Sequence, residues 1–319
     1  DNFTVSVTVN PEPVGVANTA TVCSDVVLGA GVTLTTTGTS VSAASYTIST
    51  NASGLVQSAG TVSAGAGKNA NELIDDAWTN TSGGNVNVVY TVTPVSSSNC
   101  SGTPFTVSVT VQPEPATTAP VTTAAVCSDV ATGYTLTVAG ATTYNITTNS
   151  NGLVQSAGTV SAGTGRTNIE LQDDTWTNIT LSDVNVVYTV IPVSGAGCAG
   201  NSFTVTVPVK PEPRGLNDTR TVCSNVGALG YDLQVNNITA LGNAMASGFQ
   251  WSAASQGSVT GETTAVQSTG VINDNLVNIT SVAQVVVYTV TPTGSVSLCV
   301  GDNFTVSVTV NPEPVGVAN

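Results

Sequence analysis

The 319-residue chain has no histidine, one methionine and only five basic side chains. Without imidazole there is no ordinary general base to activate a hydroxyl or thiol near neutral pH, and no Cys/His zinc site can be completed. A chain so poor in reactive groups is expected not to be an enzyme. Nineteen acidic side chains against five basic ones leave a net charge of -14. That balance removes the counterion release on which nucleic-acid binding depends, so nucleic acid is not expected as a partner. No apolar run approaches the roughly 20 residues needed to span a bilayer, and the first 20 residues lack the charged-then-apolar pattern of a signal peptide. Any export signal or anchor is therefore expected outside this segment.

What the chain does have is repetition. Residues 1–18, DNFTVSVTVNPEPVGVAN, recur letter for letter as residues 302–319, after about 301 residues. The tripeptide Pro-Glu-Pro recurs at Pro11, Glu12 and Pro13, at Pro113, Glu114 and Pro115, at Pro211, Glu212 and Pro213, and again from Pro312. It divides the period into three units of about 100 residues, a typical domain length. We read residues 1–13 as the last strand of a preceding or partner module, 14–115, 116–213 and 214–314 as modules 1 to 3, and 315–319 as the start of the next repeat.

Each Pro-Glu-Pro follows a strictly alternating segment: Phe3 to Val9, Phe105 to Val111, Phe203 to Val209 and Phe304 to Val310. A period of two predicts a strand with Phe3, Val5, Val7 and Val9, or their counterparts, on one buried face. The strand before it carries Val-Val-Tyr-Thr-Val, at Val88 to Val92, Val186 to Val190 and Val286 to Val290. Earlier aromatic strands are expected at Tyr46 to Ile48, Tyr144 to Ile146 and Phe249 to Trp251. No segment shows sustained helical periodicity, so short strands at close spacing point to an all-β chain of antiparallel sandwiches.

The cysteines are dealt two to a module: Cys23 and Cys100, Cys127 and Cys198, Cys223 and Cys299. Their wide, regular spacing argues for disulfides, and hence for an oxidising compartment. One disulfide within each module is the favoured pairing. The rival joins neighbours, Cys100 to Cys127 and Cys198 to Cys223.

Val22-Cys23-Ser24, the aromatic central strand, Tyr90-Thr91-Val92-Thr93-Pro94, Cys100-Ser101-Gly102 and the closing Val-Thr-Val-x-Pro-x-Pro together resemble polycystic-kidney-disease-like, immunoglobulin-like repeats. Such repeats occur in very large Bacteroidota surface proteins. The resemblance covers essentially the whole chain and implies three tandem immunoglobulin-like antiparallel β-sandwich modules. It also implies an extracellular or cell-surface location, export by the type IX route, and a role in adhesins, gliding-associated proteins or fibres. Module 3 departs from the pattern, with Asn225 where the others carry Asp25 and Asp129, and with a longer early region.

Two acidic groups are candidate calcium ligands, Glu72, Asp75 and Asp76, and Glu170, Asp173 and Asp174. Hard oxygens at short spacing suit that ion. The competing and favoured reading is a polar turn entering a strand, with Trp78 or Trp176 packed inward and Asn80 or Asn178 bonded to backbone. A sparser calcium option places Glu12, Glu114 or Glu212 against the Asp25 or Asp129 side of the following module. No other cofactor is expected. The prolines of the junctions fix φ and favour extended geometry, so each Pro-Glu-Pro reads as a stiff spacer. Asn-x-Ser/Thr sequons, as at Asn80 and Asn178, are close to chance in so hydroxyl-rich a chain.

The leading expectation is a non-catalytic extracellular structural protein, the repeat unit of a bacterial surface fibre or stalk. Its partners would be other copies or further tandem repeats. The alternative is an adhesin module binding glycan or surface ligands through its loops. The duplicated segment has two explanations: the chain is a window on a longer tandem array, or a spare strand is donated between copies.

Overall fold

The computed structural model describes residues 2–241 and 244–314. Module 1 consists of β1 (Asn18–Cys23), β2 (Ser45–Asn51), β3 (Val56–Ala59), β4 (Gly65–Lys68), β5 (Ala77–Thr79), β6 (Val86–Val95) and β7 (Phe105–Gln112). Its main sheet has the order β1-β7-β6-β2-β4, and β3 pairs with β5 in a second, short sheet. Module 2 comprises β8 (Val121–Thr122), β9 (Val126–Cys127), β10 (Ala141–Asn149), β11 (Val154–Ala157), β12 (Gly163–Arg166), β13 (Thr175–Thr177), β14 (Val184–Ser194) and β15 (Phe203–Lys210). The order β12-β10-β14-β15-β8 repeats the plan of module 1, with the first strand split in two. Module 3 comprises β16 (Asp218–Cys223), β17 (Tyr231–Asp232), β18 (Ser247–Ala253), β19 (Val259–Thr260), β20 (Val271–Ile272), β21 (Val277–Asn278), β22 (Gln284–Gly294) and β23 (Phe304–Asn311). Its main sheet runs β16-β23-β22-β18.

The fold is thus the expected series of three immunoglobulin-like sandwiches, with open sheets. Alternation decides which side of each strand is buried. In β6 and β7 the residues Val88, Tyr90, Val92, Val107, Val109 and Val111 face inward, and Val89 and the intervening hydroxyls face outward. Each module has its own core, in which these residues or their counterparts in modules 2 and 3 meet Leu73 and Trp78, Leu171 and Trp176, or Trp251 and Ile272. The pairing is antiparallel with one exception. The first strand of every module lies parallel to the last, as in Asn18 to Cys23 beside Val107 to Gln112. A parallel pair needs a long return connection, and here almost the whole module supplies it. The longer early region of module 3 forms short helical turns over Gln234–Ile238 and Thr239–Leu241.

Two expectations need correction. The segment Phe3 to Val9 is no strand in this structure, and Phe3, Val5, Val7 and Val9 are exposed, because no sheet edge lies beside them. The sequence at 304–310 has such an edge on both sides and is buried. The cysteines follow neither anticipated pairing. Cys23 bonds to Cys198 and Cys127 to Cys299, so the early cysteines of modules 1 and 2 each join the late cysteine of the following module. The cause is positional: the early cysteine ends the first strand at the junction, and there it meets the late loop of the next module, not that of its own. Of the expected module boundaries, residues 315–319 lie outside the described residues.

Candidate functional site: the module junction

The junction between modules 1 and 2 is built from three short pieces. Cys23 ends β1 opposite Gln112, the last residue of β7. Pro113, Glu114 and Pro115 follow directly. Cys198 sits in the turn between β14 and β15, where its backbone N–H is held by Ser194 Oγ at 3.1 Å and Ser194 N–H donates to its carbonyl at 2.8 Å. The Gln112 amide oxygen lies 3.6 Å from Cys198 Sγ and 4.0 Å from Cys23 Sγ, so one side chain marks the meeting point. The next junction repeats this with Cys127 opposite Lys210 and Cys299 buried in the equivalent turn.

The linker is pinned on both sides. Glu114 N–H donates to the Asn80 carbonyl at 3.2 Å, anchoring it to module 1, and Ala116 N–H donates to Ala139 at 2.9 Å, anchoring it to module 2. Glu212 and Leu216 do the same at the second junction, toward Asn178 and Asn237. The last proline packs under the late loop of the following module. A Cβ on Gly102 or Gly301 would collide with the carbonyl oxygen of Pro13 or Pro213, and one on Gly200 would crowd Pro115. Glycine two residues after the late cysteine is therefore required by the close approach of the linker. The Cys-x-Gly spacing was visible in the sequence, but its reason was not.

Just inside the junction a second device recurs. Ser24 Oγ accepts a hydrogen bond from Asn80 N–H at 2.9 Å, and Asn80 Nδ2 donates to the Val111 carbonyl at 2.7 Å. Ser128 with Asn178, and Ser224 with Asn278, repeat both contacts. The serine of Val-Cys-Ser thus ties the first strand to the short sheet, and the sequon asparagines are internal clamps. Asp25 beside it accepts from Thr79 Oγ1 at 2.6 Å. Burial pushes its carboxyl up, but hydrogen bonds from Ser58, Thr79 and Ser24 outweigh that and hold it below the ordinary carboxylate value. Asp129 behaves alike, helped by a hydrogen bond from Glu212. Glu212 is 5% exposed, and burial, together with the Asp129 carboxylate it donates to, raises it to about 8. Glu114 is raised too, by burial and by Asp25. Both glutamates thus face the aspartate of their own module and not, as anticipated, that of the following one.

The acidic groups singled out as calcium ligands are divided among other tasks. Glu72 Oε1 pairs with Lys68 Nζ at 2.7 Å and Glu170 Oε1 with Arg166 Nη1 at 3.0 Å, while Asp75 and Asp173 are exposed. Asp76 is buried and accepts from Tyr90 Oη at 2.7 Å, Ser63 Oγ at 2.8 Å and Gln57 Nε2 at 2.8 Å. Trp78 Nε1 donates to Tyr90 Oη at 2.9 Å, which completes the chain. Asp174, Tyr188, Ser161, Gln155 and Trp176 reproduce it. Burial raises the Asp76 and Asp174 carboxyls despite these hydrogen bonds, and burial against the carboxylate pushes the Tyr90 and Tyr188 hydroxyls far up. Among the described residues no three acidic or cysteine side chains gather as a metal-binding set. The polar turn with an inward tryptophan is the arrangement found.

The family model of the PKD-like domain matches residues 20–115, 124–213 and 220–314. No curated protein matches the sequence. Among solved structures, a titin I-band fragment, I67–I69, is 11% identical, with 96% of this chain and 98% of that one covered and a TM-score of 0.33. The human desmocollin-1 ectodomain is 11% identical over 95% of this chain at a TM-score of 0.30, and the chain spans 62% of its length. Drosophila N-cadherin EC1-3 is 9% identical, with 95% and 100% covered and a TM-score of 0.22.

Proposed function

We propose that this chain, which belongs to the PKD-like domain family and carries that domain in three tandem copies, is a non-catalytic structural element of an extracellular fibre or stalk. One observation carries the reading: adjacent modules are joined at two covalent points, the Pro-Glu-Pro linker and a disulfide. Two domains on one peptide tether hinge by default. A second covalent tie at the junction removes that freedom, and backbone hydrogen bonds on both sides of each linker reinforce it. Stiffness is then the product of the sequence, and the disulfides suit an oxidising location outside the cytoplasm. No helix among the described residues is long and apolar enough to cross a membrane.

The adhesin alternative needs surface groups for recognition. Trp78, Trp176 and Trp251 are all core side chains, so no tryptophan offers a stacking platform for sugars. The rod reading is tested by small-angle scattering of the purified chain with and without reductant. The oxidised chain should scatter as an elongated rigid particle, and reduction of Cys23–Cys198 and Cys127–Cys299 should broaden its distance distribution. A compact particle in both states would sink the proposal.

A further inference from the structure

Among the described residues two cysteines carry no bond, Cys100 and Cys223. They are the late cysteine of module 1 and the early cysteine of module 3, the two positions left over when each early cysteine bonds one module ahead. We propose that Cys223 and the Cys100 of a second period of the same sequence are the halves of a third inter-module disulfide, so that successive periods are riveted as modules are. This rests on the fibre reading above.

The structure assigns the geometry through the duplicated segment. Cys223 ends β16 opposite Asn311, as Cys23 stands opposite Gln112 and Cys127 opposite Lys210. Asn311 has its twin in Asn10, in identical sequence surroundings. Cys100 Sγ lies 3.9 Å from the Asn10 carbonyl oxygen. Cys198 occupies the matching place beside Gln112, the residue its partner faces. Placing the Asn10 segment of a second period on the Asn311 segment of the first therefore brings Cys100 to Cys223. The sequence separation agrees, since Cys100 counted one period on follows Cys223 by a span within a few residues of the 175 and 172 of the existing bonds. Exposure agrees as well. Bonded Cys198 and Cys299 are buried and bonded Cys23 and Cys127 half-buried, whereas Cys100 is half-buried and Cys223 exposed. Each waiting cysteine is more open than its bonded counterparts.

Bond formation removes two protons and two electrons, which a small-molecule disulfide accepts. The thiolate of Cys223 attacks one sulfur of oxidised glutathione and releases glutathione thiolate, and Cys100 then displaces the second. The test uses a two-period polypeptide in which residues 302–319 of the first period serve as residues 1–18 of the second, alongside the 319-residue chain. After oxidation with glutathione disulfide, thiols are alkylated and disulfide peptides mapped by mass spectrometry. The expected result is a peptide joining Cys223 to the second period's Cys100, with both protected from alkylation. Cys223→Ser should leave that Cys100 fully alkylated. In the 319-residue chain, a covalent ladder abolished by either Cys100→Ser or Cys223→Ser would give the same bond between separate copies, through exchange of the Phe3 to Val9 segment. Absence of a ladder beside a bonded two-period chain would confine the bond to one polypeptide. Full alkylation of both cysteines in both proteins, with Cys23–Cys198 and Cys127–Cys299 intact, would overturn the proposal. A compact particle with the bond present would break the rod reading alone, and a rod with free thiols would break the rivet alone.

Discussion

Two stretches of this molecule have the same letters and opposite fates. Phe3 is 89% exposed and Phe304 2%, Val9 86% and Val310 0%. The local sequence is identical, so the difference comes wholly from neighbours. Residues 304–310 lie between β22, antiparallel on one side, and β16, parallel on the other, with a core beneath. Residues 3–9 have none of these. Alternation makes a segment able to be a strand, and a sheet edge with an apolar floor makes it one. Full burial stabilises each large apolar side chain by about 1.5–3 kcal/mol, a gain the exposed copy does not make.

The sharpest way to break the contrast is to truncate the same side chain in both copies. Phe304→Ala should destabilise module 3 by about 3–5 kcal/mol, the usual cost of emptying a phenylalanine site. Phe3→Ala should change the melting profile by less than about 0.5 kcal/mol. Calorimetry on the two variants decides, and equal effects would mean that residues 3–9 are packed in solution.

The contrast extends into the tripeptide that follows. Glu212 is buried against Asp129, while Glu313 is exposed. Since the folded value of Glu212 is raised from 4.5 to about 8, the fold favours the protonated carboxyl. That contribution is complete below about 4.5 and is lost as pH rises toward 8, where the folded state is forced to ionise the group or bind a proton the unfolded chain has released. Glu212→Gln, a permanent mimic of the protonated form, should match the parent at pH 4 and exceed it by a few kcal/mol at pH 9. Glu313→Gln, at an exposed position, should change stability by less than about 0.5 kcal/mol. Melting temperatures across that range test the sign, and a benefit of Glu212→Gln that shrinks with pH would refute the pairing.

A smaller effect probes the strand beside each copy. Tyr288 of β22 lies opposite Val306 and donates to Asp274 at 2.7 Å, as Tyr90 does to Asp76. Tyr288→Phe leaves a buried carboxylate short of one donor and should cost about 1–3 kcal/mol. Asp76 and Asp274 each keep two other donors, Ser63 and Gln57 or the backbone N–H and hydroxyl of Thr263, yet the loss should be less than at Tyr90, because Trp251 donates to the Thr269 carbonyl and does not depend on Tyr288. In module 1 the indole of Trp78 depends on Tyr90 for its acceptor. Denaturant unfolding of Tyr90→Phe and Tyr288→Phe compares them.

Much of this was legible beforehand, and the parts that were not share a cause. Periodicity of two in Phe105 to Val111 and in Val88 to Val92 fixed which residues line the core, because burial of a strand face is written in every second letter. Trp78 beside Asn80 gave the inward turn. The partner of Cys23 could not be read, since spacing is equally regular for any shift of pairing, and the answer depends on which loop the next module brings to the end of β1. Spacing alone groups Asp76 with Asp75 and Glu72. Its place two residues before Trp78 put it on the tryptophan's face, a signal that would have separated it from the exposed Asp75.

The smallest expected effect lies where local sequence does settle the outcome. Lys68 and Glu72 are four residues apart and form an ion pair at 2.7 Å, a contact that needs no distant strand. Lys68 also donates to the Val62 carbonyl at 2.6 Å, so single substitutions mix two losses. A double-mutant cycle with Lys68→Ala and Glu72→Ala isolates the pair, and its coupling should be under about 1 kcal/mol and weaken with salt. The pair at Arg166 and Glu170 should behave in the same way. Coupling as large as the cost of Phe304→Ala would mean that surface charge, and not the strand's neighbours, holds these modules, and the contrast between the two copies would then lose its meaning.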